Sequence, residues 1–388
     1  MLVKVSLAAA VAASFLGSAA AAPLVAVKQL VERSVVASPE FNITFSSNYT
    51  EGLPRTLIMA TGGTIAGSSA SATDSTNYKA GSIGVAALVD AVPQLLNVSN
   101  IDGMQVSNVG SGSITDDIVL MISKIANKAL CGPDAEYDGV VVTHGTDTLE
   151  ETAFTLDASL TCDKTVVVVG AMRPATAISA DGPSNLLEAV TTAVSPASHG
   201  RGVLIVLNDR ICQATYCAKT NANTLDTFKA YEQGFVGGLL STKPFFYYPP
   251  SQPTFKKVYD LSNITSLPRV DVLYSHQEAT FDGVNASVAN GAKGFVGAGT
   301  GAGSLSPFAS ANLKYVMSQG IPVVASTKIN NGAVVPSDPS TASNGTYISS
   351  AFLNPVKSRR LLQILLALGK NATEIRDAFE EPLRTYLY

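Results

Sequence analysis

Two short stretches carry side chains suited to chemistry on a small polar molecule. In Val140-Val141-Val142-Thr143-His144-Gly145-Thr146-Asp147-Thr148, three β-branched residues read as a strand buried on both faces. Gly145 permits a sharp turn, and Leu149 to Phe154 reads as the start of a helix. Thr146 and Asp147 therefore project where a strand ends and a helix begins. In Met59-Ala60-Thr61-Gly62-Gly63-Thr64-Ile65-Ala66-Gly67 a strand again runs into glycines and then a threonine. Ligands of open α/β sheets bind at that edge, because strand carboxyl ends and helix amino ends face one crevice. Taken alone, Asp147 or Thr148 also reads as a helix cap. Two hydroxyl-bearing strand ends in one sheet favour a site. The sequence has no Gly-x-Ser-x-Gly elbow and no His-Glu-x-x-His, and its only histidines are His144, His199 and His276. Hydroxyl chemistry then requires a threonine with a lysine or tyrosine partner, and His144 reads as a hydrogen-bonded structural residue.

The elements that must position these groups alternate along the chain. Strands are expected over 55–60, 104–109, 140–143, 165–170 and 203–208, with helices over 84–96 and 114–130. This is a mostly parallel sheet covered by helices. The aromatic, Pro-rich stretch from Phe245 to Pro253 suggests a linker or domain edge. A second α/β set follows, with strands at 270–274, 294–296 and 322–325. Asn354-Pro355 opens a helix, with Asn as N-cap and Pro at the first helical position, and Gly369 closes it. The Gly-rich run 297–303 fits neither Gly-x-Gly-x-x-Gly nor a phosphate loop, and reads as a tight turn packed against its neighbour.

With 388 residues there is room for two domains; 46% are hydrophobic and 14% charged, which argues against global disorder. A net charge of -4 gives no electrostatic case for nucleic acid or an anionic membrane. Residues 1–22 have the composition of a signal peptide: Lys4, an apolar run from Val5 to Leu16, then small residues from Ala19 to Ala22. Residues 23–52 read as an N-terminal extension, 53–250 as the catalytic domain and 265–388 as the C-terminal domain. Seven Asn-x-Ser/Thr sequons, at Asn42, Asn48, Asn97, Asn263, Asn285, Asn344 and Asn371, agree with a secreted glycoprotein placed in the medium, cell wall or periplasmic space. The four cysteines allow three pairings. Cys131 with Cys162 and Cys212 with Cys217 is the chosen pair of bridges, since each cysteine lies near an end of an expected element. The spacings match no zinc pattern, so no metal is expected.

The two motifs, Thr61-Gly62-Gly63-Thr64-Ile65-Ala66-Gly67 and Thr143-His144-Gly145-Thr146-Asp147-Thr148-Leu149-Glu150-Glu151-Thr152, resemble the signatures of the bacterial-type L-asparaginases. Gly170-Ala171-Met172-Arg173-Pro174 and Ala180-Asp181-Gly182-Pro183 add a third, and the similarity runs from about Leu53 to Tyr388 with the secreted, type II branch foremost. The resemblance implies a larger N-terminal and a smaller C-terminal α/β domain. It implies hydrolysis of L-asparagine to L-aspartate and ammonia through an acyl-enzyme, without a cofactor, in a homotetramer. Carried onto this sequence, Thr64 is the nucleophile and Tyr78 the tyrosine of a lid. Thr146 is the second threonine with Lys219 as partner. Asp147 binds the substrate ammonium, Ser111 its carboxylate, and Ala171 lines the substrate pocket. The departures are Gly112, where the family usually has Gln or Glu on the substrate amine, and two residues lent by a partner subunit. The Asn or Ser expected there falls near Glu278, and the expected Glu near Pro339. A broad-specificity glutaminase-asparaginase is the alternative activity, and an amino-acid-binding protein without turnover the alternative class.

Overall fold

The computed structural model describes residues 41–74, 77–254, 256–338 and 346–388. Residues 1–22, most of the 23–52 segment, Pro339 and Asn344 lie outside them. The first sheet is built from β1 (Phe45–Ser46), β2 (Arg55–Gly62), β3 (Asn100–Val109), β4 (Gly139–Thr143), β5 (Thr165–Val169), β6 (Leu204–Leu207) and β7 (Arg210–Gln213). A small hairpin of β8 (Ala218–Lys219) and β9 (Phe228–Lys229) follows, then β10 (Gly237–Leu240) and β11 (Lys243–Phe246), which rejoin the large sheet. The nine strands lie in the order β1-β3-β2-β4-β5-β6-β7-β10-β11. The five from β3 to β6 are parallel, and the flanking strands pair antiparallel.

This order decides where a ligand can enter. The chain leaves β2 for β3 on one side and then returns to place β4 on the other. The topological switch point therefore lies between the carboxyl ends of β2 and β4, and those two ends lead into Thr64 and Thr146.

Strand residues alternate between two cores, as the two-residue period of a sheet requires. Leu57, Met59, Val140, Val142, Val166 and Val168 face one side. There they pack on Ile122, Ile125 and Ala129 of α2 (Asp116–Leu130) and Leu149, Ala153 and Leu156 of α3 (Leu149–Asp157). Ile58, Ala60, Val141, Val167 and Val169 face the other, against α1 (Val85–Asp90) and α4 (Gly182–Ala193). Helix α2 starts at Thr115, whose hydroxyl accepts from the Ile118 N–H, with Asp116 and Asp117 complementing the dipole in its first turn.

The C-terminal sheet is fully parallel: β12 (Val270–Tyr274), β13 (Gly294–Gly299), β14 (Val323–Thr327) and β15 (Ile348–Ser349). Helices α5 (Val284–Ala289) and α6 (Pro307–Ser318) cover one face. Helices α7 (Pro355–Ala367) and α8 (Ala372–Leu387) cover the other, where Leu120 and Phe154 of the first domain join the core. Asn354 caps α7 by accepting from the Lys357 N–H at 3.0 Å. Polar bonds also join the domains. Asp116 takes Arg360 and, at 2.8 Å, Gln363; Glu151 takes Arg359 at 3.3 Å. Burial works against the Asp116 charge, yet Arg360 and Arg359 hold its carboxyl below the usual range.

Several expectations are corrected. The helix over 84–96 stops at Asp90 and resumes only as a 3-10 turn, Pro93–Asn97, because proline cannot continue the hydrogen-bond ladder. The antiparallel half of the sheet was not expected. Phe245 and Phe246, in the stretch read as a linker or domain edge, lie in edge strand β11. Part of the stretch read as an extension is strand β1, paired with β3 through Phe45 and Gly103. The Gly-rich run is the end of β13 and a tight turn: a β-carbon on Gly299 would lie 2.4 Å from the Gly303 carbonyl carbon. Both chosen disulfides are formed, Cys131–Cys162 and Cys212–Cys217.

Candidate active site

Three turns meet at the switch point. The first follows β2: Gly62 and Gly63 both take positive φ, and Thr64 opens a short 3-10 turn with its side chain buried. The second follows β4, where Gly145 precedes Thr146. The third is Ser111–Ser113, just past β3. Their backbones touch. A β-carbon on Gly63 would lie 2.3 Å from the Gly145 nitrogen, and one on Gly145 would lie 2.9 Å from the Ser111 β-carbon. Only glycine allows this approach. The contacts are tied by Thr61, whose hydroxyl donates to the Thr143 carbonyl at 2.9 Å, and by Thr148, whose hydroxyl donates to the Ser111 carbonyl at 2.9 Å. Thr148 stands at the N-cap of α3 without making a side-chain cap bond. Its hydroxyl serves the site instead.

Each threonine hydroxyl has a proton-bearing partner. Thr64 Oγ1 lies 2.6 Å from the Tyr78 hydroxyl. Lys219 Nζ donates to Thr146 Oγ1 at 2.9 Å and to Asp147 Oδ1 at 2.6 Å. Tyr78 is carried by a segment paired back on the first turn through Ser68 and Lys79, and its ring lies over Gly67. Lys219 ends β8, two residues after Cys217. The Lys219 side chain is largely buried, whereas the Asp147 carboxylate is 77% exposed and faces the opening. Its exposure leaves it accessible to a charged ligand although Oδ1 is taken by Lys219.

The site also has a back wall. Ala171 is fully buried in the turn after β5. Asp181 holds that turn by accepting from the Met172 and Arg173 N–H groups, both at 2.9 Å, and Asn185 Nδ2 donates to the Gly170 carbonyl at 3.0 Å. His144 is fully buried between the Gly145 carbonyl, 2.8 Å from Nδ1, and the Thr152 hydroxyl, 2.9 Å from Nε2. Burial pushes its imidazole down to about 4, so it is a neutral scaffold group. The Gly63 N–H donates to the Val109 carbonyl at 2.9 Å and is not free to hold an oxyanion. Glu278 stands exposed with φ 56 on the turn after β12.

Thr64, Tyr78, Thr146, Asp147, Lys219, Ser111 and Ala171 are thus gathered about one crevice. Asp181, Asn185 and Thr148, which hold the turns, were missed as site supports. Asp181 and Thr148 were visible only as parts of motifs, Thr148 also as a possible helix cap, and nothing in the spacing marks Asn185.

A two-domain α/β protein with paired hydroxyl systems at the switch point of its larger sheet is the class this geometry defines. The chain belongs to the asparaginase family: residues 55–252 match the family described as Asparaginase, N-terminal, and residues 269–379 the Glutaminase/Asparaginase C-terminal domain. It is 48% identical over 339 residues to probable L-asparaginase 1 of Schizosaccharomyces pombe, covering 87% of this chain and 92% of that protein. It is 44% identical over 336 residues to L-asparaginase 2 of Bacillus subtilis, covering 87% and 88%. A crystal structure of a probable cytoplasmic L-asparaginase from Campylobacter jejuni superposes with a TM-score of 0.78 at 40% identity, covering 84% of this chain and 99% of that one. That neighbour overturns the secreted location: a protein similar over nearly its whole length is a probable cytoplasmic enzyme. The N-terminal residues that carried the expectation lie outside those described. The described sequon asparagines, Asn42, Asn48, Asn97, Asn263, Asn285 and Asn371, are exposed, but with secretion withdrawn they support no reading as glycosylation sites.

Proposed function

We propose that Thr64 is the nucleophile of an L-asparagine amidohydrolase, with Tyr78 as its proton partner. The chain is an amidohydrolase that converts L-asparagine to L-aspartate and ammonia. The observation that carries the assignment of roles is the pair of bonds Thr64–Tyr78 at 2.6 Å and Lys219–Thr146 at 2.9 Å, each joining a weak hydroxyl nucleophile to a group able to move its proton.

In this reading Asp147 holds the substrate ammonium and Ser111 its carboxylate, beside Ala171. A free amino acid carries both charges, so a pocket that orients it needs an anion and a donor in fixed places. Thr64 Oγ1 attacks the side-chain amide carbon. Its proton passes by Tyr78 to the departing nitrogen, and the C–N bond breaks to release ammonia. Water, activated through Thr146 and Lys219, then adds to the ester. Its proton returns to Thr64 as the ester C–O bond breaks and aspartate leaves. Coupled ammonia release from asparagine by wild type and by Thr64→Ala tests the reading; near-normal kcat in Thr64→Ala would move the nucleophile elsewhere.

Broad action on glutamine is the second activity. It is favoured by Gly112, beyond which a β-carbon would meet nothing within 4 Å. Rates on the two amides decide it. A homotetramer belongs to the same reading, because the family completes each site from a neighbouring C-terminal domain and Glu278 stands exposed at the strand-end edge of that domain. Sedimentation at assay concentration tests it, and an active monomer refutes it.

A further inference from the structure

The C-terminal domain reaches the Thr146–Lys219 pair from behind through one side chain. Lys357, on the first turn of α7, is fully buried. Its ammonium donates to the Cys217 carbonyl at 2.6 Å and to the Thr215 carbonyl at 3.1 Å, and stands 3.7 Å from Glu150 Oε2. An ammonium has three donors, and these three groups surround it. Asn354, which caps α7, also donates to Glu150 Oε2 at 3.0 Å. Cys217 lies two residues before Lys219, in the turn that leads into β8. Glu150 lies in the first turn of α3, directly after the turn that bears Thr146 and Asp147. The cation thus pins two segments whose separation sets the Lys219–Thr146 bond.

A domain-docking role alone explains these contacts poorly. Docking is already served by Arg359, Arg360 and Gln363 on Asp116 and Glu151, further along α7. Keeping a charged lysine fully buried is unfavourable, and burial pushes the Lys357 ammonium down to about 8 although Glu150 and Asp157 pull it up. An apolar side chain would fill this place without that cost. Here the charge fixes two carbonyls of the turn leading into the Lys219 strand and approaches a carboxylate at the start of α3. The same residues border a polar cavity of about 100 Å³ beside Lys219, so on this side β8 is held by the cation rather than by close packing, while its pairing with β9 and the Cys212–Cys217 bridge hold it elsewhere.

We infer that Lys357, with Glu150, is a positioning residue for the hydrolysis: a clamp from the C-terminal domain that sets the distance between Lys219 and Thr146. The inference rests on the proposed role of Lys219 in the second half of the reaction. Lys357→Met, which keeps the stem and removes the charge, should lower kcat for asparagine by about a hundredfold, as a displacement of about 1 Å does at a catalytic pair. KM should change less than about threefold, because Asp147 and Ser111 are left in place. Lys357→Arg should recover part of the loss. Glu150→Gln, nearly isosteric and still able to accept from Asn354, tests the clamp from its other side if Lys357→Met does not fold.

The deciding experiment is a double-mutant cycle of Lys357→Met, or Glu150→Gln, with Lys219→Arg, measuring kcat on protein shown folded by its melting transition. If the clamp acts through Lys219, the double variant loses about as much as the worse single variant. Losses that multiply, no detectable turnover in the double variant when both single variants retain it, or a lowered Tm with kcat within about threefold of wild type would each overturn the clamp. Full activity in Lys219→Arg and Lys219→Met alone would instead overturn the role of Lys219, and is read separately.

Discussion

Gly63 and Gly145 meet backbone to backbone, so that a β-carbon on Gly63 would sit 2.3 Å from the Gly145 nitrogen and 2.4 Å from its α-carbon. This contact joins the turn of Thr64 to the turn of Thr146. It follows from the sheet order, which sets β2 beside β4, and from two glycines placed immediately before the two threonines.

Gly63→Ala should therefore act on the site and the fold together. Gly63 has φ 77 and ψ −169, a region essentially closed to other residues. Strain and overlap together should cost about 3 kcal/mol or more of stability, and kcat should fall by about a hundredfold as the threonines part. Gly52→Ala is the control, since Gly52 has φ 82 but nothing within 4 Å of its β-carbon position. Urea unfolding and kcat on both variants check it. Equal effects would show that strain alone is at work and that the contact is incidental.

The pH dependence of stability should carry a signature of His144. Burial lowers its pKa from 6.5 to about 4 in the folded chain. The unfolded chain then binds more protons between these values, so stability rises with pH across the window. The contribution is complete above about pH 6.5 and is lost as pH falls toward 4, by roughly 3 kcal/mol in all. Protonation would also oppose the Thr152 hydroxyl, which donates to Nε2 when Nδ1 carries its proton to the Gly145 carbonyl. Glu188, raised by burial and by Asp209, works in the opposite sense: its contribution is present at low pH and lost as pH rises. The difference in slope between wild type and His144→Asn isolates the imidazole, and identical slopes would refute the assignment.

The site was legible where local chemistry and fold agree. Three valines, a glycine and a threonine mark a buried strand running into a polar turn at a strand end whatever surrounds them. The flanking antiparallel strands were not legible for a physical reason. Strand β10 opens with Gly237-Gly238 and β11 contains Pro244, residues that disfavour strands except at sheet edges and bulges. Tertiary pairing with β7 overrides their propensity. Glu150 and Lys357 stood in view, one inside a motif and one in a helix, but only the fold brings them together. The N-terminal composition was legible and still misled about location.

Gly112→Gln probes what the sequence leaves out of the amine clamp. The site has room for it: a β-carbon there meets nothing within 4 Å, and Gly112 is not in a left-handed conformation. A glutamine oxygen on the substrate ammonium adds a charged hydrogen bond, about 1.5 kcal/mol, or roughly a tenfold fall in KM for asparagine. kcat should stay within about twofold, since the bond is equal in ground and transition states. An unchanged KM would mean that the residue at 112 does not reach the substrate.

The roles of the two threonines separate by what each variant accumulates. Thr64→Ala removes the attacking oxygen but leaves Asp147 and Ser111 to hold the amino acid, so binding should persist, measured by calorimetry, while turnover is lost. Thr146→Ala leaves the Thr64–Tyr78 bond intact and deprives Lys219 of its hydroxyl partner. If Thr146 and Lys219 serve the water step, the ester on Thr64 forms at near-normal rate and decays slowly. Rapid quenching of Thr146→Ala with asparagine should then release ammonia in a burst close to one equivalent per site, and intact-mass measurement should show the protein carrying an aspartyl group. Asp147→Ala should instead raise KM most, without a burst. An adduct on Thr146 in Thr64→Ala, or a Thr146→Ala enzyme that releases no first equivalent of ammonia, would reverse the two roles.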